Sequence, residues 1–283
     1  MFVFHQRKGG GTVSQRIITG VLLSLGACLL IYFGGTVFAL VAIVVFCVSL
    51  HEEFQALDRA GHRAVSWPTW LAMIASIPLA LVFGASVVVP ILIFASILTV
   101  TCVIFRNEPK LEDALMSLLP LFWIMLPGLA VISLSLVSPL SVQRTLIALL
   151  ITVPVLGDTA AYFTGSFVGG RKFCPAVSPN KTWSGAIGGL IGSVIAAVIV
   201  RMIAGWICAP TTTLPQWIDC IALGLIGGAS SQIGDLMASL VKRHCGIKDF
   251  SNLFPGHGGM LDRLDSILFM ALVLFSYRLI IFG

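Results

Sequence analysis

Carboxylates are scarce in this chain, with 12 Asp and Glu among 283 residues, yet several stand inside or against long apolar runs. Asp262 and Asp265 lie in "FPGHGGMLDRLDS" directly before "ILFMALVLFSYRLIIF". Asp235 sits in "GGASSQIGDLMASLVKR" and Asp158 in "GDTAAYFTGS". An ionisable group at membrane depth costs several kcal/mol unless paired or hydrated, so such residues read first as functional. Asp262 and Asp265 are three apart, which puts them on one helix face with about 5–6 Å between Cβ atoms. Two carboxylates so placed repel unless a cation joins them, and they also suit the positive end of a helix dipole as capping acids. A second stretch, "GGRKFCPAVSPNKTWSGAIGG", offers Arg171, Lys172, Ser178, Lys181 and Thr182. Cations, hydroxyls and free amides at a helix start bind phosphate without a Walker pattern, and a basic loop of this kind also holds anionic lipid head groups. Hard carboxylate oxygens opposite phosphate-binding cations point to Mg²⁺ and a phosphorylated substrate.

The elements that position these residues are membrane helices. With 58% hydrophobic and 10% charged residues the chain falls outside the soluble globular range. A crossing of about 30 Å of hydrocarbon takes roughly 20 apolar residues. Nine candidate runs lie near 16–33, 36–50, 67–83, 86–105, 115–136, 144–164, 185–207, 216–241 and 264–282, the fifth and sixth carrying Pro127 and Pro154. The expected fold is all-α, a polytopic integral membrane protein of about nine transmembrane helices. Alternate loops, beginning with the N-terminal one, collect 14 of the 17 Lys and Arg, whereas the opposite loops hold only Arg144. That split places the N-terminus in the cytoplasm by the positive-inside rule, and explains the net charge of +5 without nucleic acid as a partner. Asp158, Asp235, Asp262 and Asp265 then converge at one depth, on the cytoplasmic side.

Residues 1–283 read as a single membrane domain, with 1–140 mainly scaffold helices and 141–283 the catalytic half with its two loops. The acids of the first half, Glu52, Glu53, Asp58, Glu108, Glu112 and Asp113, are interspersed with Arg and Lys and read as a solvated face. The seven Cys and five His show no metal-type spacing, and the Cys read as small apolar residues in helices.

The stretch "SLVKRHCGIKDFSNLFPGHGGMLDRLD", Ser239 to Asp265, resembles the signature of the phosphatidate cytidylyltransferases, or CDP-diacylglycerol synthases. The matching positions are Lys242, Arg243, Lys248, Asp249, His257, Gly258, Gly259, Asp262, Arg263 and Asp265, and "DTAAYFTG", "SPNKTW" and "GDL" are similar to further family elements. Position 184, often acidic in that family, is Ser here. The resemblance implies condensation of CTP with phosphatidate to CDP-diacylglycerol and pyrophosphate, a Mg²⁺ requirement, a dimer, and metal ligation by Asp235, Asp262 and Asp265. Asp158 is a further candidate ligand, and a second, monovalent cation is left open. Lys181, Lys242, Arg243, Lys248 and Arg263 are then expected on phosphates, with Ser178, Thr182 and His257 as hydrogen-bond donors and Gly258 and Gly259 allowing close approach. The expected location is a bacterial inner membrane with the site facing the cytoplasm. A CTP-dependent lipid kinase or a synthase of another CDP-lipid is the alternative. An ion-coupled transporter fits less well, because its acids would stand near the midplane of two similar halves.

Overall fold

In a computed structural model, which describes residues 13–208 and 214–281, each of the nine apolar runs coincides with a helix. The order is α1 (Val13–Phe33), α2 (Gly35–Arg59), α3 (Trp67–Phe83), a 3-10 turn (Gly84–Val87) and α4 (Val88–Ile104). Then come α5 (Leu111–Pro120), a π turn (Leu121–Met125), α6 (Leu126–Leu134), α7 (Leu140–Phe167), α8 (Trp183–Ile207), α9 (Trp217–His244) and α10 (Leu261–Ile281). Among the described residues six helices are long and apolar enough to cross a bilayer: α2, α5 to α6 taken as one, α7, α8, α9 and α10. They mark a membrane protein, and the apolar parts of α1, α3 and α4 are shorter. The π turn is where α5 runs into α6 just before Pro127, whose ring and missing N–H forbid the regular i to i−4 ladder there.

One element departs from the all-α expectation. Between α7 and α8 the chain forms an antiparallel hairpin, β1 (Lys172–Cys174) and β2 (Ser178–Thr182), with Lys172 opposite Thr182 and Cys174 opposite Ser178. Gly169 and Gly170, at φ 64° and 106°, turn the chain out of α7 into it. Strands this short, with Pro175 in the turn between them and Pro179 inside β2, leave no alternating pattern to read.

The half of the chain from α7 onward is held by close packing of small residues. Lipid tails are as apolar as a Leu side chain, so membrane helices associate through close contact of their backbones. On α8, a Cβ at Gly188 would overlap Thr164 of α7, and one at Gly192 would overlap Ala160. α8 packs on α9 as well, and α10 packs on α9, α7, α6 and α2. That last contact brings the end of α2 against the start of α10, so the first half of the chain reaches the site.

Candidate active site

Four segments converge on a cavity of about 1290 Å³: α7 with Asp158, β2 with Lys181, α9 with Asp235, and the start of α10 with Asp262, Arg263, Asp265 and Ser266. Asp158, Asp235 and Asp265 lie close enough for their charges to act on one another. Lys181 Nζ is in direct contact with Asp235. Ser266 ties two of the acids together, since its hydroxyl donates to Asp158 Oδ2 at 2.8 Å and its N–H to Asp265 Oδ1 at 2.8 Å. Sequence reasoning gave Ser266 no role; its only signal is its place directly after Asp265. Away from this polar head the cavity runs between α1, α2 and α7, along Leu23, Ile31, Phe38, Val41 and Val155. A charged head on an apolar trough suits a phosphorylated lipid.

The expected residues fall into two groups. Asp158, Lys181, Thr182, Asp235, Asp262, Arg263 and Asp265 line the cavity, whereas Ser178, Lys242, Arg243, Lys248, His257, Gly258 and Gly259 are not in its wall. Thr182 is the N-cap of α8, its hydroxyl accepting from Gly185 N at 3.1 Å, and it also meets Ser184 Oγ at 3.1 Å. Ser184 in turn donates to the Gly169 carbonyl, fixing the exit from α7. The hairpin therefore places Lys181 one residue before a capped helix start. Arg243 and Lys248 are exposed, and His257 is half-buried with no hydrogen-bond partner at Nδ1.

Asp262 is buried, and its oxygens are largely occupied by the protein. Oδ1 accepts from Lys242 Nζ at 2.7 Å, and Oδ2 accepts from Phe250 N at 2.8 Å and Gly259 N at 2.9 Å. It thereby fastens the loop after α9 to the start of α10. A Cβ on Gly258, which has φ 81°, would come within 2.9 Å of Asp262 Oδ2. Glycine is needed there both for conformation and for room.

The scaffold acids correct the sequence reading. Glu52, Glu53 and Asp113 are not a solvated face but buried. Glu52 accepts from Ser251 Oγ at 2.5 Å and Met260 N at 2.9 Å through Oε1, and from Leu261 N at 2.8 Å through Oε2. It satisfies amides at the free N-terminus of α10, where the dipole favours a negative charge. Glu53 Oε1 accepts from Trp123 Nε1 at 3.1 Å, and Asp113 Oδ1 accepts from Arg63 N at 3.1 Å. These acids sit among basic residues in sequence, but the loop 251–261 folds over the end of α2 and closes Glu52 off from water.

The donors at the cavity head fit Mg²⁺. Three carboxylates and a hydroxyl are hard oxygen ligands, and the charge of Asp158 and Asp265 is not matched by an ion pair of their own among the described residues. Their oxygens do not gather into a tight trio, since the only three ligand atoms of that kind within 4.8 Å of one another among the described residues belong to other side chains. A wide basin suits an ion that keeps several waters and takes one or two carboxylates together with substrate phosphate.

Comparison with known proteins gives the family. The pattern of the Cytidylyltransferase family matches residues 14–281. The chain is 35% identical over 271 residues to a phosphatidate cytidylyltransferase of Brucella suis biovar 1 (strain 1330), covering 94% of this chain and 93% of that one. It is 25% identical over 307 residues to phosphatidate cytidylyltransferase 4, chloroplastic, of Arabidopsis thaliana, covering 97% and 75%. Over 114 residues it is 40% identical to the phosphatidate cytidylyltransferase of Bacillus subtilis (strain 168), covering 40% and 39%. The match takes in the hairpin, the fastened loop and all four Asp residues of the cavity head, and the chain belongs to the cytidylyltransferase family.

Proposed function

We propose that the protein condenses CTP with phosphatidate to give CDP-diacylglycerol and pyrophosphate. The observation that carries this reading is the cavity itself, with carboxylates, Lys181 and Arg263 at its head and an apolar trough behind them. A water-soluble nucleotide and a lipid phosphate can meet there without either leaving its own medium.

Charge governs the mechanism. Both substrates are anions, and pyrophosphate leaves with more negative charge than it carried within CTP. A phosphate monoester is already largely ionised near pH 7, its second pKa being about 6, so no residue is required as a strong base. A phosphatidate oxygen attacks the α-phosphorus of CTP, the bond from that phosphorus to the bridging oxygen breaks, and pyrophosphate departs with the electron pair. Lys181 and Arg263 offset phosphate charge at the head of the cavity, and the N-terminus of α8 adds its dipole. Asp235 and Asp265, with Asp158, would hold Mg²⁺, which when bound neutralises phosphate charge and polarises the phosphoryl oxygen. Ser266 keeps Asp158 and Asp265 oriented, and Asp262 acts through the loop it fastens. Lys242 holds Asp262 rather than a phosphate.

Nine crossings with the N-terminus in the cytoplasm complete the reading, because the basic loops and the site then share the side that supplies CTP. One experiment tests reaction and orientation together: sealed membrane vesicles of either orientation receive phosphatidate, Mg²⁺ and external CTP labelled at the α- or γ-phosphate. The expected result is α-label in lipid and γ-label in pyrophosphate, in inside-out vesicles alone. Transfer of γ-label to lipid would show a kinase instead, and turnover of external CTP by intact right-side-out vesicles would reverse the orientation.

A further inference from the structure

Outside the catalytic cavity, three side chains from three separate segments meet at the same end of the bundle. His62 lies in the turn after α2, set by Gly61 at φ 90° and by its own N–H donating to Leu57 O at 3.0 Å. Glu112 is in the first turn of α5, and His244 is the last residue of α9. His62 Nε2 and His244 Nε2 are 2.8 Å apart, with ring planes 13° from parallel. Glu112 Oε1 is 3.7 Å from His62 Nδ1. One ligand atom from each residue lies within 4.8 Å of the other two.

Two imidazole nitrogens facing each other at this range repel unless something electrophilic lies between them. A single shared proton is one solution, and a metal ion is the other. Two imidazoles and a carboxylate are ligands of zinc-class ions, whereas Mg²⁺ and Ca²⁺ favour oxygen alone. A tetrahedral ion with metal–nitrogen bonds of about 2.0–2.1 Å needs its two nitrogens roughly 3.3 Å apart. Glu112 and His244 are exposed, so side-chain rotation can part the two Nε2 atoms by that half ångström and swing the carboxylate, which now lies beside His62 Nδ1, round to an ion between them.

We propose that His62, Glu112 and His244 form a binding site for one zinc-class divalent cation, with water completing the coordination. The ion ties the end of α9 to the α2–α3 turn and to the start of α5. Its consequence for the enzyme is positional: Lys242, one half-turn before His244, grips Asp262, and steadying the end of α9 steadies the loop that closes over α10. The site stands on this cluster alone and holds whatever the substrate of the cavity is.

The test uses the full-length protein in detergent, stripped with chelator and titrated calorimetrically with Zn²⁺ in excess Mg²⁺, which masks the carboxylates of the cavity. One Zn²⁺ per chain is expected, with a rise in the unfolding temperature on binding. His62→Gln and His244→Gln should each weaken binding by more than about tenfold, the scale on which even groups behind the direct ligands act. Glu112→Gln should weaken it too, and Asp235→Asn should leave it intact. Activity without Zn²⁺ should be unchanged in the two His variants, which checks their folding. Absence of Zn²⁺ binding at micromolar free ion would overturn the proposal in favour of the shared proton. So would binding that survives in both His variants, or that is lost in Asp235→Asn.

Discussion

Asp235→Asn and Asp265→Asn should each lower turnover at least on the order of a thousandfold while the protein inserts, purifies and unfolds at a nearly unchanged temperature. The magnitude follows from the loss of transition-state charge stabilisation at the metal and phosphate site proposed above. Each exchange keeps the shape of the side chain and one oxygen, and Asp265 Oδ1 needs only that to accept from Ser266 N at 2.8 Å. What is lost is the negative charge. Asp235 is additionally in contact with Lys181, so its Asn variant frees that lysine and should also weaken selection between CTP and other anions. Chelation of Mg²⁺ should silence the wild type to the same level. Near-normal turnover by a folded Asp265→Asn variant would reduce that residue to an orienting role at the start of α10.

Asp262 should fail in the opposite way. Its side chain is 2% exposed and that of its partner Lys242 12%, and its carboxylate accepts from two loop amides besides. Removing one member of a buried ion pair typically costs about 3–5 kcal/mol, because the other charge is left unpaired. Asp262→Ala should therefore lower the unfolding temperature in detergent sharply and expose the loop after α9 to trypsin at Lys248. Turnover falls with the loop rather than with the chemistry. Asp262→Asn, which can still accept from one amide, should lie between. An Asp262→Asn protein with unchanged unfolding temperature, a protected loop and no activity would instead make Asp262 a direct ligand, as the family resemblance implies.

The helices were legible because a bilayer imposes length and apolarity on every crossing, and each of the nine runs coincides with a helix. Asp158 and Asp235 were legible for the complementary reason, as charges inside those runs. Glu52 was not. In sequence it sits beside His51 and Glu53 at a helix end and looks solvated, and only the return of residues 251–261 over α2 closes it off. The His62 and His244 pair is separated by 182 residues, so no local spacing could announce it. Ser266 is one serine among many until α7 and α10 are placed side by side. Local pattern thus reported which residues are unusual, whereas pairing across helices decided what each one does.

The central claim is that one cavity holds both substrates so that cytidylyl passes directly to the lipid phosphate. A covalent detour would need a nucleophile on the protein, and the carboxylates at the head of the cavity are better used on metal. The most direct measurement is the configuration at phosphorus after turnover of a single diastereomer of α-thio CTP with phosphatidate. One in-line displacement predicts inversion in the CDP-lipid product. Retention would show two displacements through a cytidylylated enzyme and contradict the account.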